Sequence, residues 1–422
     1  MSAVGVVELK LAEAPRRRGI GVFLVLIGVA AALMFGAQPS GHPQARFVLN
    51  LAGSGALNVP DLVLPVRQAA YILAAAAAFL GAYHLARGFG RWAYPILALG
   101  IACFIFAFLA WAARGNSLSL TGMLQGTFTK AAPLTLGAFA GILCERAGVT
   151  NVAIEGQMLF GAFASAVAAS VTGNAILGLA AGAVSGGLIG LILAVFSLRY
   201  GVDQVIVGIV LDLFCLGLTG FLYDRLLVPF QATLNSAAVI APVPIPVLDR
   251  IPVLGPVLFD QNVFVYFTFV LLGVIQVALF RTRWGLRVRA VGEHPRAADT
   301  AGIDVIRTRY INVVLGGLVA GLAGCYFTLG SVGAFGKGMT SGRGFIALAA
   351  VIFGRWNPVG ALGASLVFGF SDSLQTFLAV LNTPISSYFL LMAPYVATIL
   401  VVAGVVGRAR SPAADGKPYV KE

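Results

Sequence analysis

RTRWGLRVRAVGEHPRAADTAGIDVIRTR, Arg281 to Arg309, is the one long polar segment in a chain that is otherwise almost continuous apolar helix, and it carries seven arginines. A charge placed in hydrocarbon costs about 2.5 to 3.5 kcal/mol even on lenient insertion scales, so this segment must lie in water between membrane spans. Loops rich in Lys and Arg stay on the cytoplasmic side, which predicts that this one faces the cytoplasm.

The rest of the composition agrees. Of 422 residues, 59% are hydrophobic and 10% charged, and the mean hydropathy is +0.93; a water-soluble globule cannot hold those proportions. The apolar runs are long and unbroken rather than alternating in short segments, which excludes a β-barrel. What remains is an all-α fold, a polytopic transmembrane helical bundle.

Candidate spans fall at 20–37, 66–86, 94–113, 131–144, 152–171, 175–198, 204–222, 262–280, 310–330, 345–354, 359–381 and 385–406. The runs 131–144 and 345–354 are too short to cross a core about 30 Å thick, and they read as half-helices or re-entrant pieces. The count is therefore ten to twelve. Arginines 16–18 precede the first run, which reads as an uncleaved helix rather than a signal peptide.

With every segment crossing and the N-terminus inside, 20 of the 28 Lys and Arg fall on the cytoplasmic side and 8 outside. That bias puts both termini in the cytoplasm. It also accounts for the net charge of +12 without nucleic acid. Two outer loops are long, 38–65 and 223–261; the second contains PVPIPVLDRIPVLGP, whose prolines predict a stiff extended cap.

Cys103, Cys144, Cys215 and Cys325 stand singly in or beside apolar runs, and His42, His84 and His294 are equally scattered, so no metal-ligand spacing is visible. The segment GSVGAFGKGMT, Gly330 to Thr340, has a Gly-Lys pair, but Ser331 and Gly338 replace the first glycine and the closing Ser or Thr of a phosphate-binding loop. No catalytic cluster points to an enzyme. Transport therefore draws on an ion gradient or on hydrolysis by another subunit.

Inside the bundle Gly178, Gly182, Gly186 and Gly190 recur every four residues, and Gly317 with Gly321 repeats the spacing, which predicts close helix packing. Against that background the rare polar residues stand out: Asn151, Glu155 and Gln157, then Asp203 and Gln204, Asp212, Asn312, Asp372 and Gln375. A carboxylate within a span faces a cavity, a partner or a headgroup, which makes Glu155 and Asp212 functional candidates. For Glu155 the competing expectation is a place at the membrane edge, pairing with Arg146 or capping a helix.

Three ordered motifs, ERAGVTNVAIEGQMLFGAF (Glu145 to Phe163), RTRWGLRVRAVGEHPRAADTAGI (Arg281 to Ile303) and GRGFIALAAVIFGRWNPVGALGASLVFG (Gly342 to Gly369), together resemble the permease subunits of bacterial ABC importers for nucleosides. Those belong to the wider simple-sugar and branched-chain amino acid permease superfamily. The likeness runs over about 127–406. It implies a multi-pass protein of the bacterial cytoplasmic (inner) membrane that carries nucleosides. Its partners would be a second homologous permease, ATP-binding-cassette ATPase subunits and an extracytoplasmic solute-binding protein or lipoprotein. No cofactor is implied on this chain; ATP and Mg would sit on the ATPases.

The resemblance divides the chain into an N-terminal extension, 1–126, with about three spans; a permease core, 127–406, with the coupling loop 281–309; and a cytoplasmic tail, 407–422. In such permeases this loop holds the short helix that docks on the ATPase. Here Glu293, His294 and Pro295 can start that helix, Ala297, Ala298 and Ala301 continue it, and Gly302 ends it. Gly285 and Gly292 lie in the same motif, and Arg287, Arg289 and Arg296 would pair with acidic groups on the partner or with anionic lipid. For the translocation path, amide, carboxyl and aromatic candidates are Asn151, Glu155, Gln157, Phe160, Phe163, Asp212, Asn312 and Phe345. Ribose-type sugars or branched-chain amino acids remain alternative solutes, and a self-sufficient gradient-driven carrier is the alternative mechanism.

Overall fold

The computed structural model describes residues 18–36, 43–51, 55–381, 389, 392 and 410–420. Among them nine helices are long and apolar enough to cross a membrane. They are α1 (Arg18–Gly36), α2 (Val66–Ala86), α3 (Ala93–Ala112), α4 (Leu120–Glu145), α5 (Ile154–Thr172), α6 (Ala175–Arg199), α7 (Gln204–Leu227), α9 (Val263–Arg281) and α12 (Val305–Val332). Between α7 and α9 comes the four-residue α8 (Gln231–Leu234). Helices α10 (Arg283–Glu293) and α11 (Pro295–Thr300) form the polar hairpin, and α13 (Arg343–Phe353) and α14 (Pro358–Val380) follow α12. Of the expected span 385–406, all but Phe389 and Met392 lies outside the described residues.

The two short runs behave differently. The run 131–144 is no half-helix but the second half of α4, whose 26 residues span about 39 Å at 1.5 Å per residue. Its first half escapes a hydropathy reading because it carries threonines, glutamine and lysine. Those groups are satisfied locally: Thr127 donates to the Met123 carbonyl at 2.9 Å and Thr129 to that of Gln125 at 3.0 Å. The second run, as α13, has only 11 residues, about 16 Å, and is a true half-helix.

The chain divides into two compact units, residues 1–122 with 376–387, and 123–375 with 388–422. In the first, Phe35 of α1 meets Phe104, Phe108 and Trp111 of α3 at ring distances of 5.5 to 5.7 Å. Gly28 admits α2 so closely that a methyl there would stand 2.8 Å from the Ala74 carbonyl. The segment after α1 forms a small sheet. Strand β1 (Gln44–Val48) pairs antiparallel with β2 (Leu62–Pro65) and parallel with β3 (Ser117–Ser119), and Arg46 is paired with Asp61 at 2.6 Å.

The second unit is built on α5, α6 and α12. A methyl on Gly161 of α5 would lie 2.5 Å from the Gly321 carbonyl of α12, and one on Gly190 of α6 would lie 2.9 Å from the Val313 carbonyl. The glycine ladder therefore packs backbone against backbone. Segment 223–261 is less extended than its prolines suggest: Val243–Pro244 pairs antiparallel with Asp260–Gln261, but short helical turns intervene at Leu248–Arg250 and Gly255–Phe259. Pro256 suits the start of the second turn because a first-turn residue needs no N–H partner.

Candidate functional site

The polar hairpin is an ordered pair of short helices. Thr282 caps α10, its hydroxyl accepting the Gly285 amide at 3.1 Å. Gly285, Val288, Val291 and Gly292 turn inward, while Arg283 and Arg287 are exposed. Neither glycine tolerates a side chain: a methyl on Gly285 would run into the backbone of α9, and one on Gly292 into that of Arg146. Arg289 and Arg146 both lie over the Phe280 ring, at 5.2 and 5.6 Å. Burial holds the Arg146 guanidinium below its ordinary pKa, with Glu293 opposing the shift.

Helix α11 starts at Pro295, as its sequence predicts, and the chain leaves it through Gly302 at φ +80°. Ala298 is buried with Val291 and Val305. Glu293, His294, Arg296, Ala297, Ala301 and Gly302 are exposed, so the helix stands out as a small-faced knob anchored on one side. The seventh arginine of the segment departs from expectation. Arg309 is only 1% exposed, inside the first turns of α12, where its Nε donates to the Ala147 carbonyl at 3.2 Å.

A second polar centre lies where α5, α7, α13 and α14 meet. Glu155 accepts from the Thr340 hydroxyl at 2.6 Å, the Gly342 amide at 2.9 Å and the Gly344 amide at 2.6 Å, so it caps the start of α13. Asp212, in the middle of α7, does the same for α5: its Oδ1 accepts the Gly156 amide at 2.6 Å. Its other oxygen is buried with no hydrogen-bond partner among the described residues. Arg343, first residue of α13, is paired with Asp372 of α14 at 3.3 Å and lies 5.6 Å from the Phe327 ring. Lys130 donates to the Asp372 carbonyl at 2.8 Å. Thus Lys130 and Arg343 sit within the bundle rather than in outer loops.

The path candidates separate into groups. Glu155, Asp212 and Phe345 come together around the start of α13, with Phe345 49% exposed. Asn151 and Gln157 are fully buried and bonded to each other at 3.1 Å. Asn312 is also fully buried and donates to the Thr308 carbonyl one turn back, at 2.8 Å. Phe160 stacks near Phe163, which meets Phe335 edge to face at 5.3 Å. Sequence reasoning missed Thr340, Arg343 and Lys130 at this centre. A lone cation placed inside an otherwise long helix, as Lys130 is, was the signal available.

Residues 123–403 match the family described as branched-chain amino acid transport system / permease component. The chain belongs to that permease family. It is therefore a multi-pass membrane protein and a transport component, not an enzyme. This permease is 40% identical over 323 residues to the guanosine ABC transporter permease protein NupQ of Bacillus subtilis, covering 72% of this chain and 97% of the relative. It is 38% identical to the nucleoside ABC transporter permease protein NupC of Lactococcus lactis, with 68% and 93% covered. The putative glucose ABC transporter permease protein TsgC13 of Haloferax volcanii is 32% identical, with 69% and 93% covered. No solved structure matches the permease.

Proposed function

We propose that this permease carries nucleosides across a bacterial cytoplasmic (inner) membrane as one subunit of an ATP-binding-cassette importer. Both ends of the chain and the α10–α11 hairpin face the cytoplasm on this reading. The observation that carries it is the α11 knob, whose Ala298 is anchored inward while His294, Arg296, Ala297 and Ala301 stand exposed. A short helix held so can seat in a groove of an ATPase and be moved by it. ATP and Mg belong to that ATPase.

A second, similar permease supplies the other wall of the path, because Phe345 and the Arg343–Asp372 pair lie toward the surface of this chain. Glu155, Asp212 and Phe345 line the path. Asn151 and Gln157, bonded to each other, and Asn312, bonded to main chain, hold the wall from behind, and Phe160 stacks with Phe163. A nucleoside offers a base to an aromatic ring, and Phe345, 49% exposed, matches that need. An extracytoplasmic binding protein or lipoprotein delivers the solute.

The test is reconstitution with the ATPase and second permease in liposomes. ATP-dependent uptake of guanosine or another nucleoside is expected, and Ala297→Glu should release the ATPase without unfolding the permease. Uptake by the purified permease alone, driven by an ion gradient, would overturn the reading. The resemblance to a glucose permease favours a sugar as the second reading, and glucose in the same assay decides between them.

A further inference from the structure

The segment Arg410–Val420 is folded onto the hairpin. Pro412 and Ala414 are buried, and residues 413–416 make a turn closed by the Asp415 amide on the Pro412 carbonyl at 3.0 Å. Gly416 takes φ +72°, and a methyl there would sit 3.1 Å from the Thr150 hydroxyl. A loose tail would show neither the burial nor the turn.

Its bonds reach four separate elements. The Ala414 amide donates to the Gly292 carbonyl at the end of α10, 2.9 Å away. Thr150, in the turn between α4 and α5, donates to Asp415 at 3.0 Å. The buried Arg309 of α12 donates to the Lys417 carbonyl at 3.1 Å. Tyr419 donates its hydroxyl to Asp299 of α11 at 2.8 Å, and its ring packs on the Val291, Ala298 and Val305 cluster.

A helix of six residues has no stability of its own, since nucleation costs more than so few bonds return. The orientation of α11 is therefore set by what holds it, and this segment holds it through Asp299 and Ala298. We propose that Arg410–Val420 is a positioning strap: it ties the hairpin to the α4–α5 turn and to α12, so that a push on α11 reaches α5 and α12 as one rigid displacement. Without it, α11 can yield to the ATPase while the helices behind it stay still. Asp415 and Tyr419 are the positioning residues, and the proposal rests on the importer reading given above.

The experiment uses the whole transporter in liposomes and measures solute taken up per ATP hydrolysed. Removal of residues 410–422 should leave the permease bound to the ATPase and hydrolysis running, while the uptake-to-hydrolysis ratio falls by about fivefold or more, the lower range of coupling between two sites. Should that shortened chain fail to assemble, full-length variants answer the same question. Asp415→Ala should lower the ratio, Asp415→Asn should restore it by keeping an acceptor for Thr150, and Tyr419→Ala should lower it more than Tyr419→Phe. An unchanged ratio in the shortened chain, or in both alanine variants, overturns the strap alone. Absence of ATP-dependent uptake in the unsubstituted transporter overturns the importer reading and the strap with it.

Discussion

Glu155 and Gly344, 189 positions apart in sequence, are joined by a 2.6 Å hydrogen bond from the Gly344 amide to the Glu155 carboxylate. With the Gly342 amide on the other oxygen, one side chain of α5 satisfies the free donors that open α13. A glutamine keeps one accepting oxygen, and an alanine keeps none. Glu155→Ala should destabilise the permease by about 2 kcal/mol and Glu155→Gln by about half that, the range for a charged helix cap. Thermal unfolding in detergent measures both; equal loss in the two variants would contradict the cap.

The glycine contacts of α5, α6 and α12 make a sharper comparison. Gly161→Ala places a methyl 2.5 Å from a backbone carbonyl that cannot move without shifting α12, so the loss should be about 1 to 3 kcal/mol. Among the described residues, nothing lies within 4 Å of the same atom added to Gly273 of α9. Gly273→Ala should therefore be neutral or stabilising by up to about 1 kcal/mol, as helix propensity favours alanine. Unfolding midpoints of the two variants, measured side by side, check the sign of the difference.

What the linear chain disclosed followed from local chemistry. Apolar runs mark α2, α3, α5 and α9 because a span must be continuous, and Pro295 and Gly302 bracket α11 because each imposes its own backbone geometry. The rest depends on distant segments. Arg309 reads as one more solvated arginine, yet it is buried because the carbonyls of Ala147 and Lys417, both more than 100 residues away, converge on it. The run 131–144 looks too short because its extension carries Thr127, Thr129 and Lys130, whose polarity is absorbed by their own helix and by Asp372. The small sheet after α1 was likewise invisible, since β1 finds β3 about 70 residues on.

Two cations meet one carboxylate-bearing residue at the start of α13. Arg343 pairs with the Asp372 side chain, and Lys130 donates to its carbonyl. Asp372→Asn leaves both positive charges facing each other, whereas Arg343→Gln leaves an anion with Lys130 still beside it. The aspartate change should therefore cost more stability than the arginine change. Adding Lys130→Gln to Asp372→Asn should recover part of the loss, because it removes the repulsion; coupling of about 0.5 to 3 kcal/mol is usual for residues in one network. A double-mutant cycle on unfolding midpoints tests this, and strict additivity would refute it.

Burial pushes the Asp415 carboxyl up to about 6 from its ordinary 3.8, with Thr150 and Arg309 opposing the shift. A carboxyl whose folded pKa is raised binds its proton more tightly in the docked state than in the released one. Its contribution to docking is thus most favourable at low pH, declines as pH rises from about 4 to about 6, and is flat above that window. Hydrogen exchange of residues 410–420 should slow, after correction for the intrinsic rate, when pH drops from 7 to 5. Asp415→Asn mimics the protonated form and cannot titrate, so its protection should be high and level across the range. A slope that persists in that variant would assign the effect to another group.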